Sequence, residues 1–486
     1  MNRRGLSGGQ YKPLTNNDIN KIHNTSMKIF EEVGIKVKPA KARELFKKAG
    51  ANVDENNQIV RIKSELVMEI ISQAPSTVNL CARDEKGSLD CIIGGTSVYM
   101  GTGGTALNVQ DPGKDDFRRS ELKDIMNMAR LVDSLDNIHF YMLNVYPNDL
   151  LKEDVDVNRF GAALNRTNKH IMGGVYTIEG VRNVIKMSEF IAGSSEKLRK
   201  RPFISMVACV ISPFVIDEDY GQLAMEIAKQ GIPLVVPSEP LCGATAPITL
   251  AGNILVQNID TLSGIMLTQL TNPKTPVLYG CISSITDLTN MKYLAGAIEM
   301  GLMNAASSQM AQYYQIPIYC TAGMTDSKVN DAQAGYESAL NSLLVALAGG
   351  NFIHDAAGFI EFCMTASYDK LVIDNEIIGM VMRAVEGIKV DDESLAYDVI
   401  KKVGAGGHFV SCRHTRKYMR SEQYKPQLSD RNDRDIWMKK NALDTKKRAT
   451  EKAKYILDQE PKSYINHETR DRIKKEIPGI KDFLMN

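Results

Sequence analysis

The stretch Ala322-Gly-Met-Thr-Asp-Ser-Lys-Val-Asn-Asp-Ala-Gln-Ala-Gly-Tyr-Glu337 decides how this chain is read. Before it runs the apolar, β-branched segment Gln315-Ile-Pro-Ile-Tyr-Cys-Thr321, and after it an Ala/Leu-rich helical period over 332–348. A strand that ends in Gly, Asp and Lys just ahead of a helix sets charged groups at the C-terminal mouth of a parallel sheet, where α/β enzymes hold their chemistry. The same rhythm extends outward. Strand-like segments recur near 97–101, 138–145, 169–175, 202–210, 233–238, 276–282, 316–322 and 351–357. Helical spacing separates them at Leu122, Ile125, Met126, Ala129 and Val132, and again over 181–192, 217–230, 252–270 and 291–313. Eight βα units over roughly 290 residues suit a TIM (β/α)8 barrel. A doubly wound open sheet has the same periodicity and is the alternative.

The flanks read differently. Thr15-Asn-Asn-Asp18 forms a capping-box pattern ahead of Ile19, Ile22, Met27 and Phe30, and further helices fit 41–48 and 64–73. Residues 77–99 alternate as short antiparallel strands with turns at Gly87 and Gly94-Gly95. We therefore divide the chain into an N-terminal helical and short-strand extension (1–95), a barrel (96–390) and basic, charged C-terminal surface helices (391–486).

Composition narrows the function. The 486 residues carry a formal net charge of +1, which gives no case for a nucleic-acid partner. No apolar run approaches the roughly 18 residues of a spanning helix, so no membrane partner is expected. Met1-Asn-Arg-Arg-Gly lacks the apolar core of a secretory signal, and the eight cysteines include no Cys-x-x-Cys pair. A cytoplasmic location with reduced thiols is expected. The Gly- and Met-rich helices suggest a homo-oligomer.

Several residues are candidates for chemistry. Asp326 and Lys328, two apart after the seventh strand, would project together into the mouth if the loop stays extended, with Gln333 on the helix behind them. A salt bridge that ties this loop to the helix carrying Gln333 and Glu337 is the structural alternative. Tyr99, Tyr146, Tyr176, Phe214, Tyr279, Tyr319 and Phe352 lie near strand ends. Glu239, in Pro237-Ser-Glu-Pro240, and Asp355, in His354-Asp355, are carboxylates at the ends of strands five and eight. Aromatic rings beside a carboxylate are the recipe for a quaternary ammonium ion, because ring faces attract a diffuse cation. Taken singly, each tyrosine is more often a core residue, and His354 and His170 read first as structural. Cys209, Cys242, Cys281, Cys320 and Cys363 fall in or near strands and would be small buried hydrophobes, or a zinc-thiolate site. Gly101-Thr-Gly-Gly104 lacks the lysine and spacing of a phosphate loop.

The loop quoted first resembles the trimethylamine methyltransferase (MttB-like) family. So do Val78-Asn-Leu-Cys-Ala-Arg83-Asp84, Ser205-Met206 with Ser212-Pro213, Leu250-Ala-Gly-Asn253, Leu262-Ser-Gly-Ile-Met-Leu-Thr-Gln-Leu270, Ala346-Leu-Ala-Gly349, Leu371-Val-Ile-Asp-Asn375 and Lys402-Val-Gly404. The resemblance implies a TIM barrel that passes a methyl group from an amine to the Co(I) of a separate corrinoid protein. Cobalamin would then belong to that cognate partner, and this chain would bind no cofactor of its own. Pyrrolysine-containing members carry that residue just ahead of the Asp-x-Lys. Here the chain reads through with ordinary residues, and Met324 stands near that position.

The departure carries chemical meaning. A neutral tertiary amine is a poor methyl donor without activation, whereas a quaternary ammonium leaves as a neutral amine and needs only positioning for in-line attack. Non-pyrrolysine relatives resemble enzymes for glycine betaine, proline betaine, carnitine and γ-butyrobetaine. A betaine-type quaternary amine is therefore the expected substrate. Asp326, Lys328 and Gln333 are the expected catalytic group, and Met324, Tyr279, Tyr319, Glu239, Phe352 and His354 the substrate contacts. Lys328 or Arg166 would hold the carboxylate. A non-catalytic scaffold for the corrinoid protein is the remaining alternative.

Overall fold

A computed structural model describes residues 3–481. Eight short strands carry the core: β1 (Ser97–Met100), β2 (Tyr141–Met142), β3 (Ile171–Gly174), β4 (Ile204–Val207), β5 (Leu234–Ser238), β6 (Val277–Cys281), β7 (Ile318–Thr321) and β8 (Phe352–His354). All pair in parallel. β2 through β8 pair consecutively, and β8 also pairs with β1, Phe352 opposite Tyr99. Leu6–Ser7 adds antiparallel to β1 and completes a nine-stranded sheet. No ladder joins β1 to β2, but contacts do. His139 N donates to Met100 O at 2.8 Å. Thr102 Oγ1 donates to Met142 O at 2.7 Å and accepts from Met142 N at 2.8 Å.

The strands alternate as period-two geometry requires. Tyr99, Phe140, Met142, Met172, Val207, Val235, Leu278, Tyr319 and Phe352 turn to one side and meet in a single inner cluster. Such a meeting of side chains from all eight strand segments requires the sheet to curl. The opposite faces, among them Met100, Tyr141, Ile204, Tyr279 and Ile353, join the larger core beneath the helices. The hairpin Thr77–Leu80 with Cys91–Gly94 sends Val78, Leu80, Cys91 and Ile93 into the inner cluster. The result is a mixed α/β fold built on a curled sheet.

A helix follows each strand: α1 (Leu122–Ser134), α2 (Val155–Arg166), α3 (Ile178–Ala192), α4 (Glu218–Gln230), α5 (Leu250–Thr271), α6 (Ile298–Tyr314), α7 (Ala332–Leu347) and α8 (Tyr368–Glu386). Sequence periodicity misses α2 and α8. Every residue of α2 is buried, including Asp156, Asn158, Arg159 and Asn165, so it has no polar face to set a period. α8 is buried along most of its length as well.

The N-terminal segment is stitched into this frame. Its helices Asn16–Glu32, Ala40–Lys48 and Ser64–Ile71 pack on α5, and Ile35–Val37 pairs with Val215–Ile216 in the loop after β4. Thr15 and Asp18 make the expected capping box. At the other end, Thr445–Asp458 packs against α8 and α1.

A buried ion pair locks the last two helices. Lys370 Nζ on α8 donates to Asp374 Oδ1 at 2.5 Å and to Ser338 Oγ on α7 at 2.7 Å. Asp374 Oδ2 accepts from Gly358 N, in the loop after β8, at 2.8 Å. Both side chains are fully buried. Removing one partner strands the other charge, so Asp374→Ala should cost about 3–5 kcal/mol, read as a fall in the denaturation midpoint. The double variant Lys370→Met/Asp374→Leu should recover most of that loss. Equal midpoints for the single and double variants would show that the pair does not matter.

Candidate active site

The C-terminal mouth is built from the ends of β4, β5, β7 and β8. Thr321 and His354 face each other in register across β7 and β8. The His354 ring stacks on Tyr319, centroids 3.9 Å apart and planes 15° from parallel. Asp355 follows with a left-handed backbone, φ +59°, a conformation that costs a non-glycine residue about 1–3 kcal/mol. Its Oδ2 accepts from Thr321 Oγ1 at 2.8 Å.

Two glycines let neighbouring loops close on this residue. A Cβ on Gly103 would lie 2.0 Å from Asp355 Oδ1, and one on Gly323 would lie 2.7 Å from Ala356 Cα. The Gly101–Gly104 loop after β1 and the Gly323 loop after β7 thus need glycine for close approach.

The polar atoms of His354 and Asp355 are left unused. His354 is 2% exposed and Asp355 3%, yet both ring nitrogens and Asp355 Oδ1 lack a hydrogen-bond partner. His354 Nδ1 does lie 2.8 Å from Asp355 Oδ2. The two are close in distance, but the N–H direction is wrong for a hydrogen bond, so we count the contact as proximity only. Buried polar atoms are normally satisfied, which makes this cluster an exception that asks for a ligand or water.

Glu239, just past β5, completes the group. Its side chain is open to water-sized contact, yet the surrounding protein pushes its carboxyl up to about 7, helped by the Asp355 charge. Part of the Glu239 side chain is exposed while neighbouring protein crowds its carboxyl, as befits a residue at a strand end. Burial, then Glu239, pushes the Cys209 thiol up to about 12. Burial, then Asp355 and Glu239, raises the Cys363 thiol. Tyr293, in Lys292–Leu294 after β6, is raised by burial and then by Glu239, Cys363 and Asp355. No lysine or arginine acts on Glu239, Cys209 or Cys363.

The remaining expected residues fall elsewhere. Asp326 does not share a direction with Lys328. Its Oδ1 accepts from Ala295 N at 2.7 Å and Gly296 N at 2.9 Å, which ties the loop after β7 to the start of α6. Burial pushes this carboxyl up against those two bonds. Lys328 is exposed, with Nζ on Asp326 O at 2.8 Å and 4.2 Å from the Phe362 ring centroid. It borders a surface hollow of about 350 Å³ shared with Gln110, Phe117 and Glu361. Gln333 Nε2 donates to Glu337 Oε1 at 2.9 Å, and Glu337 Oε2 accepts from Asp326 N at 2.9 Å. The expected common projection fails because 322–331 is an irregular loop rather than an extended strand, so two-residue spacing does not set direction.

Met324 is buried in the outer core. Tyr279 also points outward, its hydroxyl donating to Gln257 Oε1 and Asn258 Oδ1 on α5 at 3.0 and 2.8 Å. Phe352 stacks on Phe140 at 3.5 Å inside the inner cluster, two residues before His354 on the same strand. Arg166 ends α2 and donates to Lys462 O at 3.3 Å. Helices run back against their strands, so that end of α2 lies away from the mouth. His170 bonds Ser205 Oγ at 2.7 Å and reads as structural.

Arg159 is fully buried. It donates to Gly174 O, Tyr176 Oη, Thr105 Oγ1 and Leu143 O at 3.0–3.4 Å. Cys242, Cys281 and Cys320 pack outward, and among the described residues no three His, Cys, Asp or Glu side chains stand as a metal-binding group. A groove of about 870 Å³ lies among the C-terminal helices at Asp392, Tyr397, Arg413 and Lys417. It shares none of these strand-end groups.

Sequence reading places Tyr293 at the start of a helical period over 291–313, whereas the structure puts it in the short strand Lys292–Leu294 and begins α6 only at Ile298. The sequence does single out Glu239, His354, Asp355 and Tyr319, which the fold brings together.

The profile of the family described as trimethylamine methyltransferase (MTTB) matches residues 5–479. Trimethylamine methyltransferase MttB of Desulfitobacterium hafniense (strain DSM 10664 / DCB-2) is 37% identical, over 93% of this chain and 90% of that one. Glycine betaine methyltransferase of Desulfitobacterium hafniense (strain Y51) is 33% identical over 92% of each. Trimethylamine methyltransferase MttB of Methanosarcina barkeri is 35% identical over 93% and 92%. Similarity of this extent, running through every strand-end loop described above, makes the chain a methyltransferase of the trimethylamine methyltransferase family.

Proposed function

We propose that this chain moves a methyl group from a quaternary amine to the Co(I) of a corrinoid carried by a separate protein. In the same reading the curled sheet closes as an eight-stranded barrel, and the partner's corrinoid meets the substrate at its C-terminal mouth. The observation that carries the proposal is the charge of that mouth. Glu239 and Asp355 line it with Tyr319, His354 and Tyr293, and no protein cation acts on Glu239. A cationic ligand supplies what the protein lacks.

The chemistry follows from the substrate's permanent charge. The C–N bond breaks with its electron pair moving to nitrogen, which leaves as a neutral tertiary amine. The acceptor's pair forms the new bond to the methyl carbon. No proton needs to move, so the site's work is to hold the nitrogen, exclude water and aim one methyl at the acceptor. Two relatives carry trimethylamine in their names and one carries glycine betaine. Of these, the doubly acidic mouth favours an onium compound. A betaine would also need a place for its own carboxylate, and Lys328 and Arg166, the two anchors expected from sequence, stand outside the mouth.

The direct test mixes the protein with reduced corrinoid protein and follows the visible spectrum. A trimethylammonium compound should methylate the cobalt, and trimethylamine should not. Turnover with trimethylamine alone would overturn the proposal. Ligand affinity should also rise between about pH 6 and about pH 8 as Glu239 ionises, because only its charged form attracts the cation. Cys209, Cys363, Tyr293 and Tyr319, which face the same space, are all pushed upward and stay neutral there. Glu239→Gln should flatten this dependence and weaken binding by about tenfold or more at the upper end, where one charge partner is lost. Gly103→Ala should abolish binding while the far-ultraviolet spectrum stays native, since its Cβ meets Asp355. Unchanged affinity in that variant would remove Asp355 from the site.

A further inference from the structure

Taking the quaternary-amine reading as given, the charges in the mouth say something about the rest of the substrate. Glu239 and Asp355 approach it from β5 and β8, and Asp355 Oδ1 is buried without a partner. The stacked Tyr319–His354 pair closes one side. The buried guanidinium of Arg159 spends both terminal nitrogens on the acceptors of Thr105, Leu143, Gly174 and Tyr176. Lys328 turns its ammonium to Asp326 O and the Phe362 ring.

We infer that the mouth selects against a carboxylate held close to the quaternary nitrogen, and takes onium compounds whose anionic group is several carbons away or absent. A ligand whose carboxylate sits one carbon from nitrogen must bring that charge close to Glu239 and Asp355. Like charges at such range disfavour one another most where water is excluded. A longer chain lets the onium head enter while its carboxylate stays outside in water, where the repulsion is screened. Charge selectivity here comes from an unfavourable element as much as from attraction.

The test is a binding series on the full-length protein by calorimetry at about pH 8. It uses trimethylammonium carboxylates with one, two and three methylene groups, with tetramethylammonium as the charge-only control. Affinity should climb along the series, the three-methylene compound and tetramethylammonium binding about tenfold or more tighter than the one-methylene compound. In Glu239→Gln the spread should shrink to within about threefold, because one of the two repelling charges is gone. The inference is overturned if the one-methylene compound binds as tightly as the others, or if Glu239→Gln leaves the spread unchanged. If no member of the series and no tetramethylammonium binds, it is the quaternary-amine reading itself that fails.

Discussion

Two carboxyl groups, Glu239 and Asp355, stand together at the mouth of this sheet, and among the described residues neither forms an ion pair with a lysine or arginine. Each alone is ordinary. Together, partly desolvated and uncompensated, they are costly, and the cost is visible in the upward push on Glu239 and on the thiols of Cys209 and Cys363. Folding keeps this arrangement because the rest of the structure over-determines it. Asp355 is held in a left-handed conformation by the Thr321 hydroxyl and by two glycine loops that leave no room for it to turn away.

That constraint organises the surroundings. The Asp326–Lys328 part of the loop after β7 turns away from Asp355. Its carboxylate, Asp326, instead fastens the loop to α6, and Glu337 holds it from α7. The Asp-x-Lys segment is therefore a scaffold for Gly323 and, through Gly323, for the backbone at Ala356. The turn Glu361–Phe362–Cys363 shows the same economy. Three successive left-handed residues are held by Glu361 N on Ser327 O at 2.7 Å and Phe362 N on Thr325 O at 3.2 Å, which delivers Cys363 to the site. Backbone strain thus lies beside the candidate site.

Much of this was legible in the chain. The strand segments were readable because β-branched runs alternate with helical periods, and all eight predicted strands exist. Glu239 and His354-Asp355 were readable because polar residues directly after apolar strands have few places to go except the mouth. The failures have particular causes. Tyr279 was assigned by its place near a strand end, but its register turns it outward to Gln257 and Asn258, and an aromatic ring fits either face. Lys328 and Asp326 were assigned by two-residue spacing, which holds in a strand and not in the loop they occupy. Arg166 is a candidate by charge alone, and its place at the far end of α2 is set by a helix that sequence periodicity does not reveal. α2 itself was hidden by burial on all sides.

In the proposed reading the mouth recognises charge rather than shape. Choline and its carbon isostere 3,3-dimethylbutan-1-ol share size and hydroxyl and differ in the positive charge, so their relative affinity for the purified protein isolates that term. A charge-recognising mouth predicts that choline binds about a hundredfold or more tighter, and that Glu239→Gln erodes the difference. Equal binding of the two compounds would contradict the account.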